Sequence, residues 1–391
     1  MKHKKVANQI IKGVKFFSKK KYISLHEPSF EKNDFISISQ CLRSTFVSTV
    51  SKFTNTFENK IKKLLKSKYC IATINGTSAL QIAIKSCGVK MNEEILIPNL
   101  NYIGSTNATI YCNAIPHFVD IESETFGIDP IKLKNYLEKI CIKIKNKTVN
   151  KNSKRVIKAI IPTHVFGNSA KIKEIIKVAK KFNLIVIEDA SECVGSYYEK
   201  KHLGTFGDVG ILSFNGNKII TTGGGGAIIT NNKNIYKKAF SLSTISRKKS
   251  SAWSYDYDDV GYNYRLPGIN SSLGISQLKS LSSRLKIKRK IFLEYKKIFR
   301  NNIYLKFISE PRNTKSNHWL NTIFVNNSNL KFRDKIIKEV NKKGIGARPV
   351  WKLMHKIKHL SKYPRMNIKN SEIFEKSLIN LPSSPNLYEK K

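Results

Sequence analysis

The segment IEDASECVGSYYEKKHLGTFGDVGILSFNGNKIITTGGGGAIIT holds residues whose types and spacing suit a definite chemistry. One apolar run ends in Asp189 and a second in Ser213 and Phe214; Asn217 and Lys218 follow, ahead of a glycine run from Gly223 to Gly226. A lysine can join an aldehyde cofactor as a Schiff base, because burial and neighbouring cations lower its pKa enough to leave a free amine. A carboxylate at a strand end can keep a pyridinium nitrogen protonated, which makes the ring a better electron sink for a substrate carbanion. Together these are the requirements of pyridoxal 5'-phosphate (PLP) chemistry. Each part alone has a plainer reading: the Asp as a helix cap, the lysine as a solvated loop residue, the glycines as a nucleotide phosphate cradle. The last of these lacks a GxxxxGK[ST] run or a strand-linked GxGxxG.

The elements that must position these residues read as an α/β pattern. From about Ser24 to Thr230, short apolar runs alternate with helical spacing, as βαβ units do. The strand candidates are Tyr69 to Ile74, Glu94 to Pro98, Pro116 to Val119, Val156 to Pro162, Leu184 to Glu188, Gly210 to Phe214 and Gly226 to Thr230. They predict a mostly parallel seven-stranded sheet flanked by helices, with helices opening at Gly76 to Ser78 and near Tyr102. Residues 231 to 265 read as loop-rich and contain SAWSYDYDDVGYNYRLP. SSLGISQLKSLSSRLKIKRKIFLEYKKIFR reads as one long helix, with allowance for a bend, that links two domains. A strand at Leu320 to Val325, a helix at Lys331 to Lys342 and the run GIGARPVWKLMHK then suggest a smaller α+β C-terminal domain. At 391 residues the chain exceeds the roughly 250 to 300 at which one core stops growing, so division is expected. The expected parts are a basic amphipathic helix over 1–23, a large α/β domain over 24–265, and a linker helix with the small domain over 266–391.

The formal charge of +44 invites a nucleic-acid reading. The distribution argues against it: lysines are scattered through nearly every segment, including KNYLEKICIKIKNK, which looks like an ordinary helix surface, and no aromatic-interleaved basic stripe stands out. An anionic substrate would be welcome on such a surface. Cys41, Cys70, Cys87, Cys112, Cys141 and Cys193 form no CxxC pair and have no His at metal-ligand spacing, so no metal is expected. Several fall in apolar runs and read as buried thiols of a reducing compartment, which points to the cytoplasm. The opening MKHKKVANQIIKGVKFFSKKKY spaces its apolar residues helically between lysines and has no continuous signal-peptide core; no transmembrane run is visible.

Over nearly its whole length, roughly Ser24 to Pro385, the chain resembles the DegT-type, fold-type I sugar-nucleotide aminotransferases. The resemblance rests on Asp189, SFNGNK from Ser213 to Lys218 and Gly223 to Gly226, with NGTSAL at Asn75 to Leu80, IPNLNYIGSTNA at Ile97 to Ala108 and GYNYRLPGINSSLGISQL at Gly261 to Leu278. It implies that Lys218 and Asp189 are catalytic and that PLP is the cofactor. It assigns Gly76, Thr77 and Ser78 to the cofactor phosphate, as a small-residue helix opening allows. Tyr102 matches the ring-stacking position, against the plainer reading of core packing. Ser213 matches a phosphate-binding hydroxyl, and Asn263 an Asn that reaches the phosphate from a neighbouring subunit, which implies a homodimer with shared sites.

Two departures stand out. Glu192 replaces a common Gln and could meet the cofactor's phenolic oxygen only with a rearranged proton balance. Gly224 replaces a common Glu, and no role of that side chain follows from the residues. Both departures resemble the subgroup that aminates sugar C4. LHEPSF at Leu25 to Phe30, PTHVFGN at Pro162 to Asn168, FNGNK and ARPVWKLMHK at Ala347 to Lys356 most resemble the legionaminic-acid and bacillosamine-pathway enzymes. The implied reaction is ping-pong transfer from L-glutamate to a nucleotide-linked keto sugar, with the freed lysine as base and acid. A UDP-linked 2-acetamido-4-keto sugar is preferred to GDP-4-keto-6-deoxymannose. His164, His318 and Arg348 are candidate substrate contacts, against a structural reading for both histidines. A sugar dehydratase resembling this family carries His where Lys218 stands; a noncatalytic regulator or interaction protein of the same fold is the rival of another class.

Overall fold

The computed structural model describes residues 2–248 and 255–388, so part of the aromatic segment near 251–254 lies outside the described residues. All seven apolar runs become strands of one sheet, in the order Tyr69–Thr73, Gly226–Thr230, Val209–Ser213, Ile185–Asp189, Ile157–Ile160, Glu94–Pro98, Ile115–Val119. Gly226–Thr230 runs antiparallel to both of its neighbours, and the remaining pairs are parallel. Nearly every strand residue is buried, because helices cover both faces, and this is why the runs are continuously apolar instead of alternating. One face packs against Gly76–Ser86 through Leu80, Ile82 and Ile84. The opposite face is covered in part by Pro130–Ile140 and Ile172–Lys181 through Leu133, Leu137, Ile175 and Val178.

One outer edge of the sheet is closed by an ion pair. Strand Tyr69–Thr73 meets helix Lys52–Leu65, whose Glu58 Oε1 accepts from the Ala72 amide at 2.7 Å and from the Arg265 guanidinium. Both charged side chains are about nine-tenths buried. An edge amide that would otherwise invite a foreign strand is satisfied internally.

The second sheet has four strands in the order Leu305–Phe307, Asn321–Val325, Leu378–Leu381, Arg348–Pro349, all antiparallel, with helix Leu330–Lys342 against it. The basic N-terminal helix, Lys2–Lys15, is part of this core. Its Val6, Ala7, Ile10 and Val14 are buried with Ile323, Val325, Ile336 and Val340, while Lys2, Lys4, Lys5 and Lys12 face outward.

Three expectations need correction. The long linker is two helices, Gly268–Lys279 and Leu281–Ile298, which break at Ser280 (ψ 0°). Serine hydroxyls at the break bond nearby carbonyls, Ser283 Oγ to the Ser280 carbonyl at 2.8 Å, a local alternative to a straight helix. The stretch expected to be loop-rich contains helix Lys233–Ser243, started by Asn232 Oδ1 accepting from the amides of Asn234 and Ile235, and it buries Ala239 and Leu242. KNYLEKICIKIKNK is helical only as far as Ile140. Cys141–Ile144 then pairs with Lys147–Asn150 as a hairpin, turned by Lys145 and Asn146 at positive φ. The period-two alternation of that second half overrides its lysine content.

The buried Glu58–Arg265 pair makes a stability prediction. Arg265→Ala leaves Glu58 without its counter-charge and is expected to lower unfolding free energy by about 3 to 5 kcal/mol. Urea titration followed by circular dichroism measures it, and an unchanged midpoint would refute the claim that this pair closes the edge.

Candidate active site

The parallel strands end on one side of the sheet, and there a cavity of about 350 Å³ opens, lined among others by Gly76, Thr77, Tyr102, Asp189, Glu192, Ser213 and Lys218. That volume suits a small ring compound. Asn75 begins helix Gly76–Ser86, its Oδ1 accepting from the Ser78 amide at 2.7 Å. The amides of Gly76 and Thr77, with no acceptor inside the helix, are left for an anion at the cavity edge. Ser78 is buried and borders an adjoining groove instead.

The helix start lies very close to the antiparallel strand. A Cβ on Gly226 would meet the Asn75 carbonyl carbon and the Gly76 nitrogen at 2.5 and 2.7 Å, so only glycine lets this strand pass under the helix N-terminus. The last glycine of the run therefore shapes the anion cradle by absence of a side chain.

Asp189, at the end of its strand, is buried and held by short-range donors. Ser105 Oγ donates to Oδ2 at 2.7 Å, and the Ser191 amide donates to Oδ1 at 3.2 Å. Asn101 Nδ2 donates to Thr163 Oγ1 at 2.9 Å and to Ser105 Oγ at 3.3 Å, which fixes the hydroxyl behind the carboxylate. Lys218 follows strand Val209–Ser213 on a short loop. Its Nζ lies 4.0 Å from the ring centre of Trp319 and 3.7 Å from Glu192 Oε1, and the side chain is largely buried. Glu192 Oε2 accepts from the Phe166 amide at 2.7 Å. Burial pushes the Glu192 carboxyl up to about 7, with Lys218 opposing that rise and Asp189 adding to it.

A tryptophan part of the cavity wall was not anticipated. Trp319 donates its Nε1–H to the Asn217 carbonyl at 2.7 Å and so ties itself to the lysine loop. Asn317 Oδ1 accepts from the Trp319 amide, while its Nδ2 donates to the carbonyls of Glu192 and Val194. Trp351 also borders the cavity, stacked on Phe166 with ring centres 5.4 Å apart. Ser105, Asn101 and Thr163 belong to the same unforeseen set; Ser105 and Asn101 sit inside IPNLNYIGSTNA, so the motif carried that signal.

Other candidates fall elsewhere. Tyr102 is 59% exposed at the cavity mouth, which removes the core-packing reading. Asn263 is exposed, bridges Thr244 through its backbone, and does not line this cavity. Arg348 is exposed on its edge strand, again outside the lining. His164 is fully buried, with Nε2 2.9 Å from Glu188 Oε2 and Nδ1 accepting from the Ala170 amide at 3.1 Å. His318 is buried flat against Phe292 at 4.0 Å, accepts from Arg289, and burial pushes its pKa down to about 3. Both rings are consumed by packing, so as substrate contacts His164 and His318 are corrected to structural residues; Arg348 too is not brought to the cavity.

The DegT/DnrJ/EryC1/StrS aminotransferase family matches residues 28–391. The chain belongs to that family. It is 33% identical over 368 residues to the GDP-perosamine synthase of Escherichia coli O157:H7, covering 94% of each chain. It is 29% identical over 361 residues to the UDP-4-amino-4,6-dideoxy-N-acetyl-beta-L-altrosamine transaminase of Campylobacter jejuni, covering 92% of each. Among solved structures, Helicobacter pylori PseC, an aminotransferase of pseudoaminic acid biosynthesis, superposes with a TM-score of 0.84 at 25% identity over 93% of this chain and 94% of that one. The fold is thus the fold-type I aminotransferase fold, and the protein is a PLP-dependent aminotransferase acting on sugar nucleotides. The residues lining the cavity fit the cofactor: an amine, a carboxylate and a helix N-terminus border one space of adequate size.

Gly167 supplies a test of the tryptophan wall. It sits at φ +92°, and a Cβ there would lie 2.0 Å from Asn317 Oδ1. Gly167→Ala is expected to cost about 1 to 3 kcal/mol and to displace Asn317 and Trp319 together. A lowered thermal midpoint with shifted tryptophan fluorescence is the expected result; a variant unchanged in both would remove Asn317 as the anchor.

Proposed function

We propose that the protein transfers the amino group of L-glutamate to the C4 ketone of a nucleotide-linked 4-keto-6-deoxy sugar, with UDP-2-acetamido-4-keto-2,6-dideoxyhexose the preferred substrate. The observation that carries the reading is the pairing of Lys218 and Asp189 on the walls of one small, largely buried cavity. When bound, PLP supplies an aldehyde for an amine and a ring that accepts electron density. In this reading Asp189, oriented by Ser105, keeps the ring nitrogen protonated. The amides of Gly76 and Thr77, with the Ser213 hydroxyl, hold the phosphate, and Ser78, matched to this role by the resemblance, instead anchors the helix start through its amide. Tyr102, exposed at the mouth, covers the ring face.

Lys218 moves the proton. Free of its covalent bond, its amine would take a proton from the donor carbon and deliver it to the carbon on the other side of the transferred nitrogen, and the order would reverse in the second half-reaction. Trp319 and Trp351 keep water from that proton. Asn263 lies outside its own cavity, which supports its acting in a partner's site and a homodimer as the working form. Among the described residues no helix is long and apolar enough to cross a membrane, and the buried free thiols support a cytoplasmic setting.

The choice of C4 rests on the relatives: one is named for a GDP-linked perosamine and another for a UDP-linked 4-amino sugar. The UDP reading is favoured by the likeness of LHEPSF, PTHVFGN and ARPVWKLMHK to the legionaminic-acid group. The GDP reading has the 33% relative on its side. Incubating PLP-loaded protein with glutamate and a panel of nucleotide-4-keto sugars, then reading product masses, separates the two; a panel in which no sugar gains an amine sinks both. Lys218→Ala is expected to keep its fold and lose steady-state turnover by roughly a thousandfold or more. Ordinary turnover in that variant would refute the role of Lys218, and protein that never binds PLP would favour the noncatalytic alternative.

A further inference from the structure

We infer that Glu192 binds the cofactor as a neutral acid, so that loading this site takes up one proton at that carboxyl. The inference rests on the assignment of Lys218 as the residue that joins PLP. Glu192 is buried, and its two oxygens are differently placed. Oε2 is taken by the Phe166 amide at 2.7 Å, an amide aimed there because Phe166 adopts φ +59°, a conformation that a bulky residue rarely takes. Oε1 faces the cavity, 3.7 Å from Lys218 Nζ. The carboxyl is held by that amide, and the backbone beneath it is fixed by Asn317 Nδ2, which donates to the Glu192 carbonyl at 2.8 Å.

The chemistry of the cofactor then sets the proton count. In PLP the aldehyde carbon and the phenolic oxygen are ring neighbours, so a group beside the attacking amine is also beside that oxygen. The oxygen is an anion at neutral pH. An ionised carboxylate in contact with it inside a low-dielectric cavity would repel it, whereas a carboxylic acid donates a hydrogen bond to it. The charged and titratable groups around Glu192 are Lys218 from the loop after Val209–Ser213, Asp189 from the neighbouring strand end, and Cys193 on its own turn. The 317–319 segment contributes an amide and an indole, with His318 turned onto Phe292. Burial, with Asp189 adding, has already raised this carboxyl to about 7, so the proton is available near neutrality.

The free protein loses the Glu192 proton as pH rises through about 7, and the bound state keeps it. Affinity is therefore complete below that pH and falls above it, approaching about tenfold per pH unit.

The probe is pyridoxine 5'-phosphate, which keeps the phenol and phosphate but has no aldehyde and makes no bond to Lys218. Calorimetric titration of cofactor-free protein, in buffers of different ionisation heat between about pH 6 and 9, reads both affinity and proton uptake. Above about pH 7, wild type is expected to weaken by up to tenfold per pH unit more than Glu192→Gln and to take up close to one proton more than that variant does. Glu192→Gln, whose amide donates without titrating, is expected to keep only the pH dependence that the probe's own ring nitrogen and phosphate bring, with a slope shallower than wild type by up to tenfold per pH unit above about 7. Equal slopes and equal uptake in the two proteins would overturn the inference while leaving the site assignment intact. Absence of binding by wild type at any pH would overturn the site assignment, and the proton count with it. Carboxyl NMR of glutamate-labelled protein gives a second reading: one carboxyl that titrates near 7 in the free protein and stops titrating when the probe binds. No such signal would count against the inference even if the variant fails to fold.

Discussion

Two carboxyl groups, Asp189 and Glu192, are buried on the wall of one cavity with Glu192 facing Lys218, and most of the local architecture exists to make that arrangement tolerable. An ionised group removed from water costs several kcal/mol unless donors replace the lost solvent. Asp189 receives the Ser105 hydroxyl and the Ser191 amide. Glu192 receives the Phe166 amide on one oxygen and faces Lys218 with the other. The two are thus given unlike surroundings, the condition under which neighbouring carboxyls take separate roles. The positive φ of Phe166 and of Gly167 is a local consequence: the 165–167 turn must present an amide to Glu192 and make room for Asn317.

The sheet supplies the convergence. Ile185–Asp189 and Val209–Ser213 run in parallel with Ile211 opposite Asp189, so Asp189 and Ser213 emerge on the same side. The Ala190 amide continues the pairing to the Ile211 carbonyl at 3.0 Å, and the turn carrying Glu192 is therefore anchored before it leaves the sheet. The antiparallel strand Gly226–Thr230 brings the glycine run back between Thr73 and Ser213, where a side chain at Gly226 would strike the helix start. Lysine loop, acid turn and anion cradle are neighbours because of this strand order, and ligands of open α/β sheets gather at carboxyl strand ends for the same reason.

What could be read in the sequence follows from which interactions are local. The seven strands were visible because strands buried on both faces leave uninterrupted apolar runs, and Asp189, Lys218 and Gly76 were visible because each sits at a fixed offset from one of those runs. Tertiary partners were hidden. Trp319 lies about a hundred residues beyond Lys218, and nothing in SNHWLN announces that its indole would bond the Asn217 carbonyl. The burial of His164 depends on Glu188, a residue read only as the last of a strand. Helix Lys233–Ser243 was missed because its apolar stripe is thin and its start rests on one Asn cap. The lysine-rich composition blurred the turn at Lys145, where helix gives way to hairpin.

The tryptophan wall also explains why the C-terminal sheet and the opening segment matter to chemistry that lies in the large sheet. Lys288, in the middle of helix Leu281–Ile298, is fully buried, and its Nζ bonds His26 Nε2 at 3.0 Å, the Trp319 carbonyl at 3.1 Å and the Ser383 carbonyl. Among the described residues no carboxylate pairs with it, and burial pushes its pKa well below the ordinary lysine value. Three acceptors from three distant parts of the chain therefore converge on one donor, a set satisfied only when the opening segment, the Trp319 loop and the C-terminal segment have all docked. The same loop places the indole 4.0 Å from Lys218. Lys218 thus acquires its tryptophan wall as a result of completed folding, when these three parts of the chain have docked together.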